Sequence, residues 1–545
     1  MNKKELLYVF LFFLCLYVVM CSGHIGGDAL ETYLTAESII TQGNLDLTDM
    51  RSDFSIPELK SSFDAVFNTV MQAKNEQRKY YSAYGLGMVV LNTIFYFLGI
   101  ILSKIIYFVP KDYITIFLVS LINCFIVSLM VLYFYTFSFL ITKSRKKSLF
   151  LSAILVFGTQ LFPYAVKGGT VDPSFALGVS AATFHIYKAS QDNTEKNLFY
   201  AGSWVGFALL IRFTAGMVIP IFIIFIVIAL YQKKEIRIVN KILKLLYFII
   251  PLSVLLFFYF IYNYMRFGNI FDQGYLASTA QKLSPANFLD FSINNIIARL
   301  YINLLSPGKG LIFYAPIICF SYLGFKKLYQ NDKFLFGLIF SVFLIFFSFH
   351  TITLSFIGDW CWGLRYLLVV LPLLILPVNY LIMDELMYQK IKKKLIFLFI
   401  LGIFIQLPAV IMNYSLYIRM ISKEDINEQR YVNPQISPII GGYYQLFSGL
   451  NRIVTGNSLT MPFDYYYYGS DRIIICSYSN LNKQRREMSL ASYDQFDLWF
   501  LHIWKIEDSG VIIKIFTGVI IVLLLISSYM LYKKLTIVTY THENR

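Results

Sequence analysis

The chain has 545 residues, of which 57% are hydrophobic, 18% aromatic and only 14% charged, and its mean hydropathy is +0.61. Those values lie far from the averages of soluble domains and point to a polytopic membrane protein. The formal charge of +15 comes from short Lys/Arg clusters set between apolar runs, which argues against a nucleic-acid-binding domain and gives the basic residues a topological role.

Residues 6–22, behind Lys3 and Lys4, form the first apolar stretch. It is short enough for a signal peptide, but no small-x-small site precedes Gly23, and we read it as an uncleaved anchor. The loop that follows, HIGGDALETYLTAESIITQGNL, sets Asp28 just past this span. A helix beginning there and running through Ala29, Glu31, Tyr33, Leu34 and Glu37 makes Asp28 either its N-cap or a carboxylate at the mouth of the bundle, able to take a proton from an acceptor hydroxyl. Glu31 lies one turn later on the same face, where a solvated helix residue and a second functional acid both fit.

Residues 86–108 are apolar enough to span, yet a span there would put the run Lys143, Arg145, Lys146, Lys147 outside, against the positive-inside tendency. We therefore expect 86–108 to lie on the outer surface as a juxtamembrane helix. Further spans are expected at 113–141, 149–165, 174–190, 198–212, 213–230, 243–263, 310–325, 334–355, 366–383, 395–413 and 510–532. About twelve spans result, with both termini cytoplasmic. Three long hydrophilic stretches, 23–112, 264–309 and 414–509, then share the outer face. The inner loops are too short for an ATPase domain and carry no phosphate-cradling glycine loop, so the chemistry expected is external and not driven by nucleotide. The chain divides into a bundle over 1–413 that includes the first outer loop 23–112, an extracytoplasmic segment over 414–509, and a last helix with a cytoplasmic tail over 510–545.

KGGTVDPSFALG places Asp172 before Pro173 in a short outer hairpin, a turn signal that also sets an ionisable group directly over the bundle. Arg212 interrupts an apolar stretch and marks a break between two short helices, where it meets a lipid phosphate or a carbonyl. SPGKGLIFYAP sets Lys309 behind Pro307 and Gly308, where ammonium and backbone amides can jointly hold a phosphate, with snorkelling as the alternative. GDWCWGLRY sets Arg365 at the start of a span, between the roles of anion binder and interfacial anchor, with Trp360 and Trp362 as interfacial aromatics. Arg266, Lys282 and Arg299 are further outer cations. His24, His185, His350, His502 and His542 are dispersed without ligand spacing, so no metal site is expected, although His24 stands near enough to Asp28 to orient an acceptor. Cys361 and Cys476 fall in outer loops and are read as two thiols rather than a disulfide.

The loop HIGGDALETYLTAESIITQGNL, then YYSAYGLGMVVLNTIFYFLG, then TVDPSFALG resemble in order the GT-C superfamily of polytopic glycosyltransferases, in the branch of protein O-mannosyltransferases and lipid A aminoarabinose transferases. RFGNIFDQGY, LLSPGKGLIFYAP and GDWCWGLRYLLVVLPLLILP look like a bacterial subgroup of lipid-carrier-dependent enzymes, so the resemblance touches most of residues 20–380. Two positions depart from the pattern: Ala29, where an Asp-Glu pair is usual, and Leu364, where Pro is expected.

The resemblance implies an all-α, GT-C-like bundle with extracytoplasmic loops and juxtamembrane helices, in a bacterial plasma membrane. Its implied reaction is inverting transfer of a hexosyl or pentosyl group from a polyprenyl-phosphate carrier to a hydroxyl of a lipid, glycan or protein acceptor, on the extracytoplasmic face. By position Asp28 matches the first-loop catalytic Asp and Asp172 the second-loop acid, with Glu31 as a third candidate acid. The donor phosphate falls to Lys309, Arg365, Arg299 and Arg212, and the acceptor and sugar pocket to His24, Tyr81, Tyr84, Trp360 and Trp362. No cofactor is implied, and a divalent metal is compatible but not required. A flippase or transporter of lipid-linked sugars would need charged groups along a path through the bundle. A glycan ligase or polymerase is the other rival, and the first-loop acid favours a glycosyltransferase over both.

Overall fold

The computed structural model describes residues 3–26, 28–47, 71–72, 79–192, 195–233, 237–274, 289–353, 361–421, 429–457, 459, 465–468, 473–476, 496–505 and 511–543. Helices dominate these residues. Strands form two short antiparallel hairpins, Met71–Gln72 with Tyr80–Tyr81, and Tyr465–Tyr468 with Ile473–Cys476, the second in a register that sets Tyr465 opposite Cys476.

The first helix, Lys3–Met20, defines the two ends of the bundle. Near its start the buried Glu5 accepts hydrogen bonds from Tyr135 and, at 3.0 Å, from Arg145 Nε. Lys147 meets Glu385 at 2.7 Å nearby in sequence, so the 143–147 basic run belongs to this end. Roughly 25 Å further along the helix, the Ser22 amide donates to the Val166 carbonyl and Ile25 bridges Gly168. The loop that carries Asp28 is thus at the opposite end from the basic run.

The Asp172–Asp192 helix is buried along nearly all its length. Small residues make this burial feasible: Gly178 faces the Trp204 carbonyl and Ala208, and Gly202 faces the Phe248 carbonyl, distances a Cβ would close. Helices in lipid gain little from hydrophobic exclusion, so close backbone approach of this kind contributes much of their association. The Ile238–Phe267 helix behaves oppositely on its outer side and exposes Ile242, Ile250, Val254, Phe257 and Ile261, a stripe suited to hydrocarbon.

Among the described residues eight helical stretches are long and apolar enough to cross a membrane. Lys3–Met20, Asp172–Asp192 and Glu195–Ile211 accompany them in the bundle but are shorter, more charged or more polar. The expected break at Arg212 is present: the Glu195–Ile211 helix stops, Arg212 is extended, and a 3-10 turn over Phe213–Val218 leads into Ile219–Gln232. The stretch expected at 310–325 is two helices, Leu311–Tyr314 and Ile318–Asn331, because Pro316 between them has no amide to donate.

The Leu86–Ile105 helix meets the length and apolarity needed to span. Its contacts nevertheless tie both its ends to the Asp28 end of the bundle. Gly85, at its start, abuts the Leu210 and Ile211 carbonyls beside Arg212. Beyond its other end, Phe108 meets Phe516 edge-on at 5.8 Å. Lys534 over the Tyr8 ring fixes the last helix antiparallel to the first, which puts Phe516 toward the Asp28 end. Cysteine labelling in intact cells is therefore expected to reach Lys111→Cys from outside and Lys146→Cys only after permeabilisation. The reverse pattern would contradict an outer position for 86–108.

Candidate active site

The best-defined polar cluster lies where the Asp172–Asp192 helix begins. Asp172 is 2% exposed, and its Oδ1 accepts a hydrogen bond from Arg212 Nη1 at 2.9 Å. The break after Ile211 is what turns the Arg212 side chain toward this carboxylate. Its guanidinium also lies over the Phe175 and Tyr366 rings, 5.7 and 5.2 Å from their centroids. Arg365 lies over the same Tyr366 ring at 5.1 Å, and His350 stacks on it at 4.9 Å. One tyrosine ring thus gathers two cations, Arg212 and Arg365, beside a buried acid.

Several buried polar atoms here have no hydrogen-bond partner among the described residues: Asp172 Oδ2, Ser174 Oγ and Thr214 Oγ1. An unmet buried polar group costs about 1–3 kcal/mol. Native proteins keep such groups mainly where water or a ligand completes the bond. The open oxygen of Asp172 can receive a hydroxyl while Arg212 holds the other.

Asp28 opens the Asp28–Gln42 helix, and its side chain lies outside the described residues. The helix start is seated over the Asp172 hairpin: Gly169 has φ +97, and a Cβ there would collide with the Cβ of Ala29. Only glycine combines that left-handed backbone with such an approach. Glu31 corrects the solvated alternative. It is 5% exposed, and its Oε2 accepts from Ser82 Oγ at 3.3 Å and the Ala83 amide at 3.4 Å. Arg266, also buried, donates to the Ser82 and Tyr84 carbonyls, so the 82–84 segment is held from both sides. Tyr81 sits beside this segment with its ring edge-on to Phe267 at 6.2 Å, and Tyr84 contributes its carbonyl to Arg266.

Lys309 does not snorkel. It is 2% exposed, and its ammonium donates to the Cys361 carbonyl at 2.8 Å and lies 3.1 Å from Cys361 Sγ. Trp362 is not an interfacial anchor either: it is fully buried, and its indole N–H donates to Gln406 Oε1 at 2.9 Å. Gln406 continues to the Tyr314 carbonyl, and the Tyr314 hydroxyl returns to Gly308. Gln160 grips Leu364 through both its amide and its carbonyl. The PGKG and CWGLR segments are therefore locked to each other, which fixes the backbone that carries Arg365. Arg299 pairs with Asp290 at 2.7 Å and donates to the Thr351 carbonyl, next in the chain to His350. Trp360 and Lys282 lie outside the described residues, as does the side chain of Cys476.

A second cluster was not anticipated. Asp497, 3% exposed at its side chain, receives His24 Nε2 at 2.7 Å, His502 Nε2 at 2.9 Å and Lys167 Nζ at 2.7 Å. Burial works to raise the Asp497 carboxyl, but Lys167 and His24 override it and hold it well below the usual carboxylate range. Burial conversely lowers the Lys167 ammonium from its ordinary value, with Asp497 opposing. His24, assigned from sequence to the acceptor pocket, is engaged with this cluster. Tyr366, Ser174 and Asp497 escaped the sequence reading, and His350 figured in it only as one of five dispersed histidines. Lys167, which shares the short hairpin with Asp172, was the one available signal.

Comparison with known proteins bears on the first cluster. Residues 104–260 match the family described as dolichyl-phosphate-mannose-protein mannosyltransferase, a stretch that contains Asp172 and Arg212. No curated protein matches the chain. Among solved structures, the crystal structure of the Archaeoglobus fulgidus oligosaccharyltransferase in complex with Zn and sulfate is similar over 84% of this chain, at 13% identity and a TM-score of 0.45. The alignment covers 59% of that chain, so this protein spans less than two thirds of its length. Residues 104–260 are thus similar to a mannosyltransferase family, and the described residues around them include eight helical stretches long and apolar enough to cross a membrane.

Proposed function

We propose that the protein transfers a sugar from a polyprenyl-phosphate carrier to an acceptor hydroxyl on the extracytoplasmic face, with inversion at the anomeric carbon. The observation that most favours this reading is the buried Asp172–Arg212 pair, whose second carboxylate oxygen no described residue bonds, beside Arg365 on the shared Tyr366 ring. An acid able to take a substrate hydroxyl and cations able to take a phosphate then stand within one cluster.

In this reaction the acceptor oxygen attacks the anomeric carbon, its proton passes to the Asp28 carboxylate, and the bond to the carrier phosphate breaks. The leaving group departs as a phosphate anion, so it needs positive charge rather than a proton. Arg365 supplies that charge through parallel N–H donors. Lys309 holds the Cys361 segment in place and adds its charge to the same region. Asp172, held by Arg212 through one oxygen, orients a sugar or acceptor hydroxyl through the other. Glu31 keeps the 82–84 segment, with Tyr81 and Tyr84, against the helix that Asp28 begins.

The experiment uses free polyprenyl phosphate as an inhibitor of purified protein. Arg365→Met and Lys309→Met are each expected to slow turnover at least about tenfold, the worth of one charge-assisted hydrogen bond. The double variant should lose less than the product of the two, because both serve one group. Free polyprenyl phosphate should inhibit wild type and fail to inhibit the double variant. Equal inhibition of both proteins would remove these residues from the phosphate site.

A further inference from the structure

We propose that His24, Asp497 and His502 form a divalent-metal site, with zinc as its occupant, that clasps the first loop to the segment before the last helix. The proposal is independent of the transfer reaction and needs no substrate to test. One ring nitrogen of each imidazole and an Asp497 carboxylate oxygen all lie within 4.8 Å of one another. Both rings converge on the same atom, Oδ1, at 2.7 and 2.9 Å, with ring centroids 5.7 Å apart. Two imidazoles and one carboxylate are a ligand set that zinc accepts at about 2.0–2.2 Å, with water in the fourth position. Tetrahedral ligands at those distances stand about 3.3 Å apart, so each imidazole has to draw back from Oδ1 by roughly half an ångström to admit the ion.

The surroundings are those of a built site. The second carboxylate oxygen, Oδ2, is held by Lys167 at 2.7 Å, the outer-shell hydrogen bond that orients a ligating carboxylate. The backbones that bring the ligands together are fixed by bonds that do not involve the imidazoles. The Asp497 amide donates to the Ile411 carbonyl at 2.7 Å and the Trp499 amide to the Cys21 carbonyl at 3.0 Å. The Trp499 indole donates to the Val18 carbonyl at 2.9 Å, and Lys167 Nζ to the Asp497 carbonyl at 3.0 Å. The ligands are therefore brought into register before any ion arrives. The imidazoles are 45% and 37% exposed, which leaves an entry path and lets water or hydroxide screen the added charge.

The test starts from purified full-length protein stripped with a chelator and titrated with zinc chloride alone, read by calorimetry, metal analysis after desalting, and thermal shift. His24→Gln and His502→Gln are the informative variants, since Gln keeps a side-chain N–H for the Asp497 carboxylate but removes the imidazole ligand. Wild type is expected to retain about one zinc per chain and to gain thermal stability from it. Each Gln variant should bind at least about tenfold more weakly, the smaller end of the loss seen when even an outer-shell partner is removed. Wild-type protein that holds no zinc after desalting and shows no thermal shift overturns the proposal, whatever the variants do. Undiminished binding in both Gln variants overturns it as well, because the zinc would then sit elsewhere.

Discussion

Asp28→Asn is expected to lower the rate of sugar transfer by at least about 100-fold while leaving donor binding intact. The substitution keeps the shape and the hydrogen-bonding reach of the side chain but removes its capacity to accept a proton. General-base catalysis contributes about 100- to 10,000-fold, and a group that acts only in the transition state lowers kcat without weakening the ground-state complex. The helix that Asp28 begins is seated by Gly169 against Ala29 and by Glu31 against the 82–84 segment, contacts the substitution leaves untouched. Single-turnover transfer from a labelled polyprenyl-phosphate sugar checks this directly. Near-normal turnover in well-folded Asp28→Asn protein would take Asp28 out of the mechanism and leave Asp172 as the remaining acid of the cluster.

Asp497→Ala is expected to destabilise the metal-free protein by about 3–5 kcal/mol, the cost of leaving one member of a buried ion pair without its counter-charge. Lys167 is the group left behind, with a side chain 11% exposed and its ammonium 2.7 Å from the carboxylate. Removing both partners tests the cause. Lys167→Met with Asp497→Leu should recover most of the loss, since a well-packed apolar pair often matches or exceeds a buried ion pair. Equilibrium unfolding of chelator-treated protein in mixed micelles reads both. A loss below about 1 kcal/mol for Asp497→Ala would be the value of a solvated surface pair and would contradict the buried geometry.

What the sequence disclosed and what it hid divide along physical lines. The break at Arg212 was legible because a guanidinium cannot stay in the middle of an apolar helix without a partner, although its partner, Asp172, was not named. The place of Asp172 directly over the bundle was legible from its very short hairpin, and the residue is buried there. Glu31, Lys309 and Trp362 were misjudged in one respect, their exposure. Each would be solvated or interfacial on an isolated helix end, and each is buried by a segment distant in sequence: residues 82–83, Cys361 and Gln406 respectively. No local pattern reports such partners. The His24–Asp497 contact joins residues 473 apart, and His24 with His502 shows no ligand spacing because the spacing exists only in the fold. Tyr366 was passed over for the same reason, since nothing in GLRY announces that Arg212 and His350 will share its ring.

Residues 104–260 are similar to a mannosyltransferase family, and the proposed lipid-phosphate donor makes a prediction that separates transfer from transport. A transferase without its product leaves the acceptor bare and its donor unused, whereas a flippase leaves the donor on the wrong face. The most direct measurement is mass spectrometry of surface glycans and of polyprenyl-phosphate sugars in a strain lacking the protein, compared with the same strain carrying wild type or Asp28→Asn. The account predicts that one sugar substituent disappears from the surface glycans, that its polyprenyl-phosphate form accumulates and reaches the outer leaflet, and that wild type but not Asp28→Asn restores the substituent. Surface glycans and lipid-linked sugars identical in all three strains, or a lipid-linked sugar confined to the inner leaflet of the deletion strain, would contradict it.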